Sequence, residues 1–405
     1  GIFVNQDKVR PGFYHRFTAL PQQKTLGSAL GAVALPLQMD WGKTGEWIEL
    51  EPGDSQETFR KRTGYGREGT LLLREALKRA SRIYAWRLDS GGVKAKKTLG
   101  ALTATAACAG KRGNDIGVTV TAAGDAFLVC TTLAGAKVDE QTAAIVEQLK
   151  DNDYVAFSGT GALAANAGGL LAGGENGEAG AGDYTEFLEA LDHVPINAFC
   201  LPYGDTDQEG AFAAKARSLA DSQGKLVQVA LAGHAGDDER VINVKNGVVL
   251  NDGTVLSPAQ CTAWVAAATA AAGPASSLTY QAYDGAAAPR PRLSEEDTVA
   301  ALRGGEFLFT PSTSAQGLPI AMVEQDINSL LTYTENRPMV WRKNRVVRAL
   351  SYLVNSLERV WRLYYVGKGS NNKAGRELFR ADLVSLMREL EAEGAFEDFD
   401  PRADL

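Results

Sequence analysis

The sequence predicts a multidomain chain of α/β and β architecture, and three observations carry that expectation. From about Asp183 helical and strand-like runs alternate, the pattern of an α/β unit on a largely parallel sheet. Residues 93–160 are instead rich in Thr, Val, Ala and Gly, with period-two runs such as DIGVTVTA and AFLVCTTL that mark a small β-domain. The final hundred residues are charged and strongly helical. A length of 405 residues favours two or three domains, each with ample core.

The elements follow in order. The opening GIFVNQDKVRPGFYHRF is extended and aromatic-rich with no helical period, so it either folds back into its own sheet or reaches for another molecule. Residues 21–60 read as strand-like pieces broken by Pro21, Pro36, Gly42, Gly45 and the Pro52-Gly53 turn. TLLLREALKRA (70–80) is a short amphipathic helix, and RIYAWRL (82–88) a buried strand. Within the β-domain AAIVEQL (143–149) reads as a short helix. Beyond it YTEFLEAL is helical, INAFCLP a strand, AFAAKARSLADSQG a helix capped by Gly224, and KLVQVALAG a strand. TAWVAAATAAAG (262–273) is too short to span a bilayer and reads as a buried helix with Trp264 and Val265 facing a core. The Gly- and Ala-rich stretch 273–292 looks like a linker or exposed loop.

In the last part Val346, Leu350, Leu353, Leu357, Val360 and Tyr364 recur on one helical face, with Arg348, Ser351, Asn355 and Arg362 on the other. The expectation is that the apolar stripe is core. A second helix carries Phe379, Leu383, Leu386 and Leu390, and Gly394 suits its C-terminal cap. Charge is segregated: residues 337–380 hold eleven Lys or Arg against Glu358 and Glu377, and 381–405 hold eight Asp or Glu against Arg388 and Arg402. That is a face for an acidic partner followed by an acidic extension; the alternative is a solvated face and a disordered tail.

Composition narrows the function classes. Hydrophobic content of 45% and charge of 22% are ordinary globular values. A net charge of -7 argues against non-specific nucleic-acid binding by the whole chain. Cys108, Cys130, Cys200 and Cys261 are scattered without CxxC spacing, which reads as reduced, buried thiols made in a cytosol. No basic-plus-apolar signal peptide opens the sequence, and Asn5 stands where a myristoylation motif needs Ser or Thr, so a soluble protein is expected.

Fragments that imitate catalytic motifs fail on detail. WGKTG (41–45) contains the GKT of a P-loop, but the leading glycine of the motif falls on Leu37. SGTGALA (158–164) fits a dinucleotide fingerprint, yet Gly168-Gly169 interrupts the helix that would receive the pyrophosphate. His15, His193 and His234 leave little for acid–base chemistry. A triad assembled from Asp205 or Asp237, His234 and Ser314 has no nucleophile elbow to support it. Asp237, Asp238 and Glu239 lack the spacing of a cation loop and read as a solvated turn. No cofactor and no metal is expected.

Taken together, RPGFY, GNDIGVTV (113–120), LAGGENG (171–177) followed by DYTEFLEAL, RVINVKNGVVLNDG (240–253), VEQDINSLLTYT (323–334), RVVRALSYLVNSLERVW (345–361) and YVGKGSNNKAGRELF (365–379) resemble the tail sheath proteins of contractile phages and phage-tail-like particles. The resemblance runs over nearly the whole chain. It implies an N-terminal arm (1–20), the N-terminal part of an α/β domain (21–92), a β-sandwich domain (93–175), a subtilisin-like α/β domain without catalysis (176–302), an α+β C-terminal domain facing the tail tube (303–394) and a C-terminal arm (395–405).

The function so implied is that of a structural subunit, not an enzyme. It polymerises helically around a tail tube and contracts to drive the tube through a target envelope. The other readings are a serine-type hydrolase using the α/β domain, and a non-contractile adhesin or shell protein. Implied partners are further copies of the chain, the tail tube, and baseplate and tail terminator proteins, with no nucleic acid and no membrane insertion. The place of action would be a virion tail or phage-tail-like particle assembled in the bacterial host cytoplasm.

In such sheaths terminal arms add strands to neighbouring subunits, backbone hydrogen bonds supplying adhesion and alternate side chains register. An extended arm of residues 1–17 reaches roughly 50 Å at about 3.3 Å per residue. The inter-subunit anchors expected are Phe3, Phe13, Tyr14 and Phe17 at one end and Phe396 and Phe399 at the other. The tube-facing basic residues expected are Arg342, Lys343, Arg345, Arg348 and Arg362, at the start or on the polar side of the long helix.

Overall fold

The computed structural model describes residues 27–204, 206–368 and 371–405. Strand β1 (Ala32–Gln38) is a nearly continuous apolar run buried along its length, as a strand covered on both faces must be. After it come β2 (Ile48–Leu50), α1 (Gln56–Thr63), α2 (Leu71–Leu77) and β3 (Arg82–Leu88), the last two where the sequence places a helix and a strand. β1 pairs parallel with β3 over its whole length, Val33 opposite Ile83 and Leu35 opposite Ala85.

Seven strands then build the β-domain. These are β4 (Lys96–Leu99), β5 (Leu102–Ala106), β6 (Ile116–Ala123), β7 (Ala126–Leu133), β8 (Ala136–Ala143), β9 (Val155–Gly159) and β10 (Asn166–Leu170). They form two sheets, β10-β6-β7-β8 and β4-β5-β9, around one core. β5 alternates buried and half-buried residues along its length, the period of a strand with one face inward. The helix expected at 143–149 is only a 3-10 turn, Val146–Gln148, because Ala143 at the end of β8 still pairs with Phe127 of β7 and leaves too few residues for a helix. Trp41 leaves the α/β domain to enter the sandwich core, its indole donating to the Lys61 carbonyl at 3.0 Å. Buried Arg87 at the end of β3 pairs with Asp89 and donates to the carbonyls of Met39, Gly42 and Ala109, tying the two domains.

The chain returns to the α/β domain through α3 (Ala181–Ala190), β11 (Ala198–Cys200), α4 (Thr206–Gln223), β12 (Gln228–Ala232) and β13 (Val241–Val244). Gly224 ends α4 at φ 66°, a conformation that only glycine adopts freely. β14 (Gly247–Leu250), β15 (Val255–Leu256), α5 (Pro258–Ala271), β16 (Ala286–Arg290), α6 (Glu295–Arg303) and β17 (Glu306–Phe307) follow. The central sheet runs β17-β13-β12-β11-β1-β3-β2, parallel except for β2. α5 covers one face and α3 and α4 the other. α5 is apolar all round and buried, Trp264 and Val265 included, as expected. Its Ser257 cap and Gln260 bond each other's backbone amides, and Pro258 opens the first turn.

The stretch 273–292 is not a linker. Tyr283 is fully buried, stacked on Trp264 at 4.5 Å with its hydroxyl donating to Glu75 at 2.7 Å, and β16 pairs with β14. Small residues that read as a loop here fill space against a tryptophan. The antiparallel pair β18 (Phe309–Thr313) and β19 (Pro319–Val323) precedes an irregular segment. The chain ends in α7 (Asn344–Val360), a π turn at Trp361–Tyr365, and α8 (Lys373–Ala392) with Gly394 after it at φ 79°.

Candidate assembly surfaces

At the carboxyl ends of the central strands, where an α/β protein commonly holds a ligand, stand Tyr203 and a cleft with few ionisable groups. Strand order reverses at β1, between β3 and β11, and the crevice beyond such a point is where ligands bind. Here Tyr203 occupies it, accepting from the Gln38 amide at 2.7 Å, and burial pushes its hydroxyl well above the usual tyrosine range. A cleft of about 720 Å³ at the ends of β1 and β3 has only Asp40, Tyr65 and Glu178 as ionisable lining. The Tyr65 hydroxyl is spent on Asp40, and burial followed by that bond pushes it up to about 12.

The triad candidates are engaged elsewhere. Asp237 accepts from the amides of Leu331 and Thr332, and Ser314 accepts from the Leu318 amide in the β18–β19 turn. His234 Nδ1 lies 3.5 Å from Glu209, and Asp205 is outside the described residues. Among the described residues no three His, Cys, Asp or Glu stand together as metal ligands, and no helix is long and apolar enough to cross a membrane.

Asp237, Asp238 and Glu239 are not a solvated turn. Asp238 and Glu239 are buried and paired, Asp238 with Arg217 at 2.5 Å and Glu239 with Arg337 at 2.5 Å. Arginines distant in sequence supply the positive charge.

The long helix docks by the face opposite to the one expected. On α7 the residues turned to the α/β domain are Asn344, Arg348, Asn355, Ser356 and Arg359. Asn355 exchanges two hydrogen bonds with the Leu226 backbone, at 2.9 and 3.0 Å. Ser356 accepts from the Ser28 amide and Arg359 donates to the Gly27 carbonyl. Asn344 accepts from Gln228 at 3.0 Å and donates to Asp326 at 2.9 Å. Asp326 is the node, accepting also from Arg348 at 2.6 Å and from the Leu278 amide at 2.9 Å. The apolar stripe is no central core: Leu350 is 38% exposed, and Val346, Leu353, Leu357 and Tyr364 are half-buried. Of the stripe only Val360 is buried. The turn after α7 meets α8 through Trp361, Tyr365 and Phe379, whose ring centroids lie 5.1–5.8 Å apart.

Of the five basic residues expected on a partner-facing surface, Arg348 is misplaced. It is 7% exposed and neutralised by Asp326, because a guanidinium on that face meets a buried carboxylate rather than solvent. Arg342 is half-buried and donates to the Leu302 carbonyl. Lys343, Arg345 and Arg362 are exposed, Arg345 donating to the Gly394 carbonyl and Arg362 lying 3.7 Å from Glu358. Sequence reasoning missed Asp326, Asn344 and Gln228. A signal existed: Asn344, Arg348, Ser351, Asn355 and Arg359 recur at helical spacing, a polar stripe as regular as the apolar one.

Phe3, Phe13, Tyr14 and Phe17 lie outside the described residues. In the isolated chain residues 395–405 rest on their own α8. Arg380 donates to the carbonyls of Pro401 and Leu405, the Phe399 amide donates to Glu391, and Phe396 and Phe399 meet edge to face at 6.3 Å. Arg380 on α8 thus holds the tail through backbone carbonyls. Some sheet edges are blunted by side chains: Asn246 bonds both the amide and the carbonyl of Phe309, and Pro311 offers no donor.

Comparison with known proteins places these surfaces in a family context. Residues 90–176 match the model of the phage tail sheath protein β-sandwich domain, 177–329 that of the phage tail sheath protein central domain, and 337–405 that of the phage tail sheath C-terminal domain. The phage-like element PBSX protein XkdK of Bacillus subtilis is 34% identical over all of this chain and 92% of its own length. The crystal structure of a sheath tail protein from Desulfitobacterium hafniense superposes with a TM-score of 0.86 at 40% identity, covering 97% of this chain and 92% of that one. The contracted helical sheath of the anti-feeding prophage shares the fold at 10% identity, with a TM-score of 0.56 over 95% of this chain and 84% of that one.

Proposed function

The chain belongs to the phage tail sheath protein family, and from that premise we propose that it is the structural subunit of a contractile sheath. Copies assemble head to tail, and because such contacts do not close they generate a helical polymer. The polymer surrounds a tail tube and shortens to drive the tube through a target envelope. The carrying observation is the 40% identity to a solved sheath tail protein over 97% of the chain. A switch-point crevice filled by Tyr203 supports a structural rather than a catalytic role, and the serine hydrolase reading finds no support. The central domain is read as a subtilisin-like fold kept without its chemistry.

Free energy for shortening comes on this reading from better contacts between subunits rather than from nucleotide hydrolysis. Lys343, Arg345 and Arg362 are the basic groups left to face an acidic tube. Residues 1–17, and residues 395–405 if released from α8, extend toward neighbouring copies, and baseplate and terminator proteins bound the polymer at its ends. The particle is a phage tail or phage-tail-like device, assembled in the host cytoplasm. Electron microscopy of the purified chain with its tube tests the reading. Sleeves of two lengths, before and after acid or denaturant, are expected; monomers that never decorate a tube would overturn it.

A further inference from the structure

Asn-Gly occurs twice in the chain, at Asn176-Gly177 and at Asn246-Gly247, and the structure sets the two apart. Asn176 is exposed and, with Gly177, lines the cleft of about 720 Å³ at the ends of β1 and β3, so solvent reaches the pair. Its Oδ1 accepts from the Lys111 amide at 2.8 Å, and the Gly177 amide bonds no other described residue. Asn246 is fully buried. Its Nδ2 donates to the carbonyls of Pro291 and Phe309 at 3.1 and 2.9 Å, and its Oδ1 accepts from the Phe309 amide at 2.8 Å. Gly247 opens β14, paired with Arg290 of β16.

A glycine after asparagine leaves its backbone nitrogen unshielded, since no Cβ crowds the approach to the preceding side chain. That nitrogen, once its proton passes to hydroxide, attacks the Asn176 Cγ. An N–Cγ bond forms, the Cγ–Nδ2 bond breaks, and ammonia leaves with a proton from water, giving a five-membered succinimide. Water then opens the ring, at Cγ to give aspartate or at the Asn176 backbone carbonyl carbon to give isoaspartate. The Lys111 N–H held on Oδ1 polarises the carbonyl under attack, as a donor aimed at developing oxyanion charge does. Both residues have structural reasons to stand there. Asn176 caps the turn at Lys111, and a Cβ at 177 would collide with the Asp89 carboxylate and the Ser90 carbonyl.

We propose that Asn176 is a site of spontaneous deamidation, and that its isoaspartyl product loosens the junction between the β-sandwich and the α/β domain. Two segments cross there, 90–96 and 172–178, as an irregular antiparallel pair. The Glu175 amide donates to the Val93 carbonyl at 3.1 Å and the Glu178 amide to the Ser90 carbonyl at 3.3 Å. An isoaspartyl link carries the main chain through Cβ and Cγ and so adds one atom to the backbone between those two bonds. A register that satisfies one then misses the other, because the pairing depends on a fixed rise per residue. At Asn246 the same chemistry must wait for a local opening that breaks three hydrogen bonds.

Peptide mapping by mass spectrometry of the full chain, held folded at mildly alkaline pH, tests the site. Deamidation at Asn176, with isoaspartate among the products, should run at least about ten-fold faster than at Asn246. In urea the two Asn-Gly pairs should react at similar rates, since only the fold separates them. Hydrogen exchange tests the consequence. The Glu175 and Glu178 amides of the aged chain should exchange about three- to ten-fold faster than in the fresh chain, the worth of one net hydrogen bond. An Asn176→Gln chain aged in the same way should exchange there as it does when fresh. Equal rates at Asn176 and Asn246 in the folded chain overturn the site. Unchanged exchange in a wild-type chain converted to isoaspartate overturns the loosening, and this comparison of fresh with aged wild type stands even if Asn176→Gln does not fold.

Discussion

Arg348 on α7 and Asp326, three residues after the end of β19, form an ion pair of 2.6 Å with side chains only 7% and 1% exposed. Two charges that far from water persist only when paired and hydrogen-bonded on their remaining atoms. Asp326 meets that condition through Leu278 and Asn344. Asp326→Ala should therefore destabilise the chain by about 3–5 kcal/mol, because it leaves a buried guanidinium alone. The double variant Asp326→Leu with Arg348→Met should recover most of the loss. Urea unfolding of the three variants measures this, and equal stability of single and double variants would contradict it.

Exposed basic residues should behave differently. Arg362→Glu and Lys343→Glu should unfold like the wild type, since surface pairs contribute about 0–1 kcal/mol. Decoration of tubes should weaken, most visibly at low salt, because attraction between solvated charges is screened within about 10 Å at 0.1 M. Counting sheathed tubes by electron microscopy across a salt series separates this from Arg348→Glu, which should fail at folding.

Asp237 supplies a pH dependence. Its carboxyl accepts from the side chain of Thr332 and the backbone amides of Leu331 and Thr332, which hold its pKa at about 2. A carboxyl depressed in the folded chain stabilises it above the unfolded value of about 3.9, and the contribution disappears as pH falls through about 2. The 331–332 turn should thus loosen as pH falls from about 4 to about 2. In Asp237→Ala it should already be loose at neutral pH. Exchange of the Leu331 and Thr332 amides against pH reads this directly.

Deleting residues 1–17 should leave a folded, soluble monomer, because every residue of the three large apolar cores lies between Ala32 and Val323. Sleeve formation should fail, each lost backbone pair removing about 0.5–1.5 kcal/mol. Thermal unfolding and sedimentation decide it. A truncated chain that no longer folds would show that the arm belongs to its own domain.

Much of the fold was legible. β1's apolar run, the period-two stretches of β6 and β7, and the all-apolar α5 state in sequence which faces are covered. Gly224 and Gly394 mark helix ends at the positions where φ is positive. The misreadings share a cause. Tyr283 sits among small residues that read as a loop, yet its ring belongs on Trp264, nineteen positions earlier. Asp238 and Glu239 look like surface charge until Arg217 and Arg337 arrive from other elements.

The sequence by itself determined what most of the regular segments named from it are, strand or helix, and which helical face is apolar. Those properties depend on residues a few positions apart, through periodicity and caps. Only the tertiary structure decided that α7 turns its polar face to the α/β domain and leaves much of its apolar face half open. That choice depends on Asp326, Gln228 and the Leu226 backbone, which sequence spacing cannot bring to the helix. Once a buried carboxylate and a free backbone edge stand there, satisfying them outweighs burying Leu350, because an unmet buried charge costs more than an exposed methyl group.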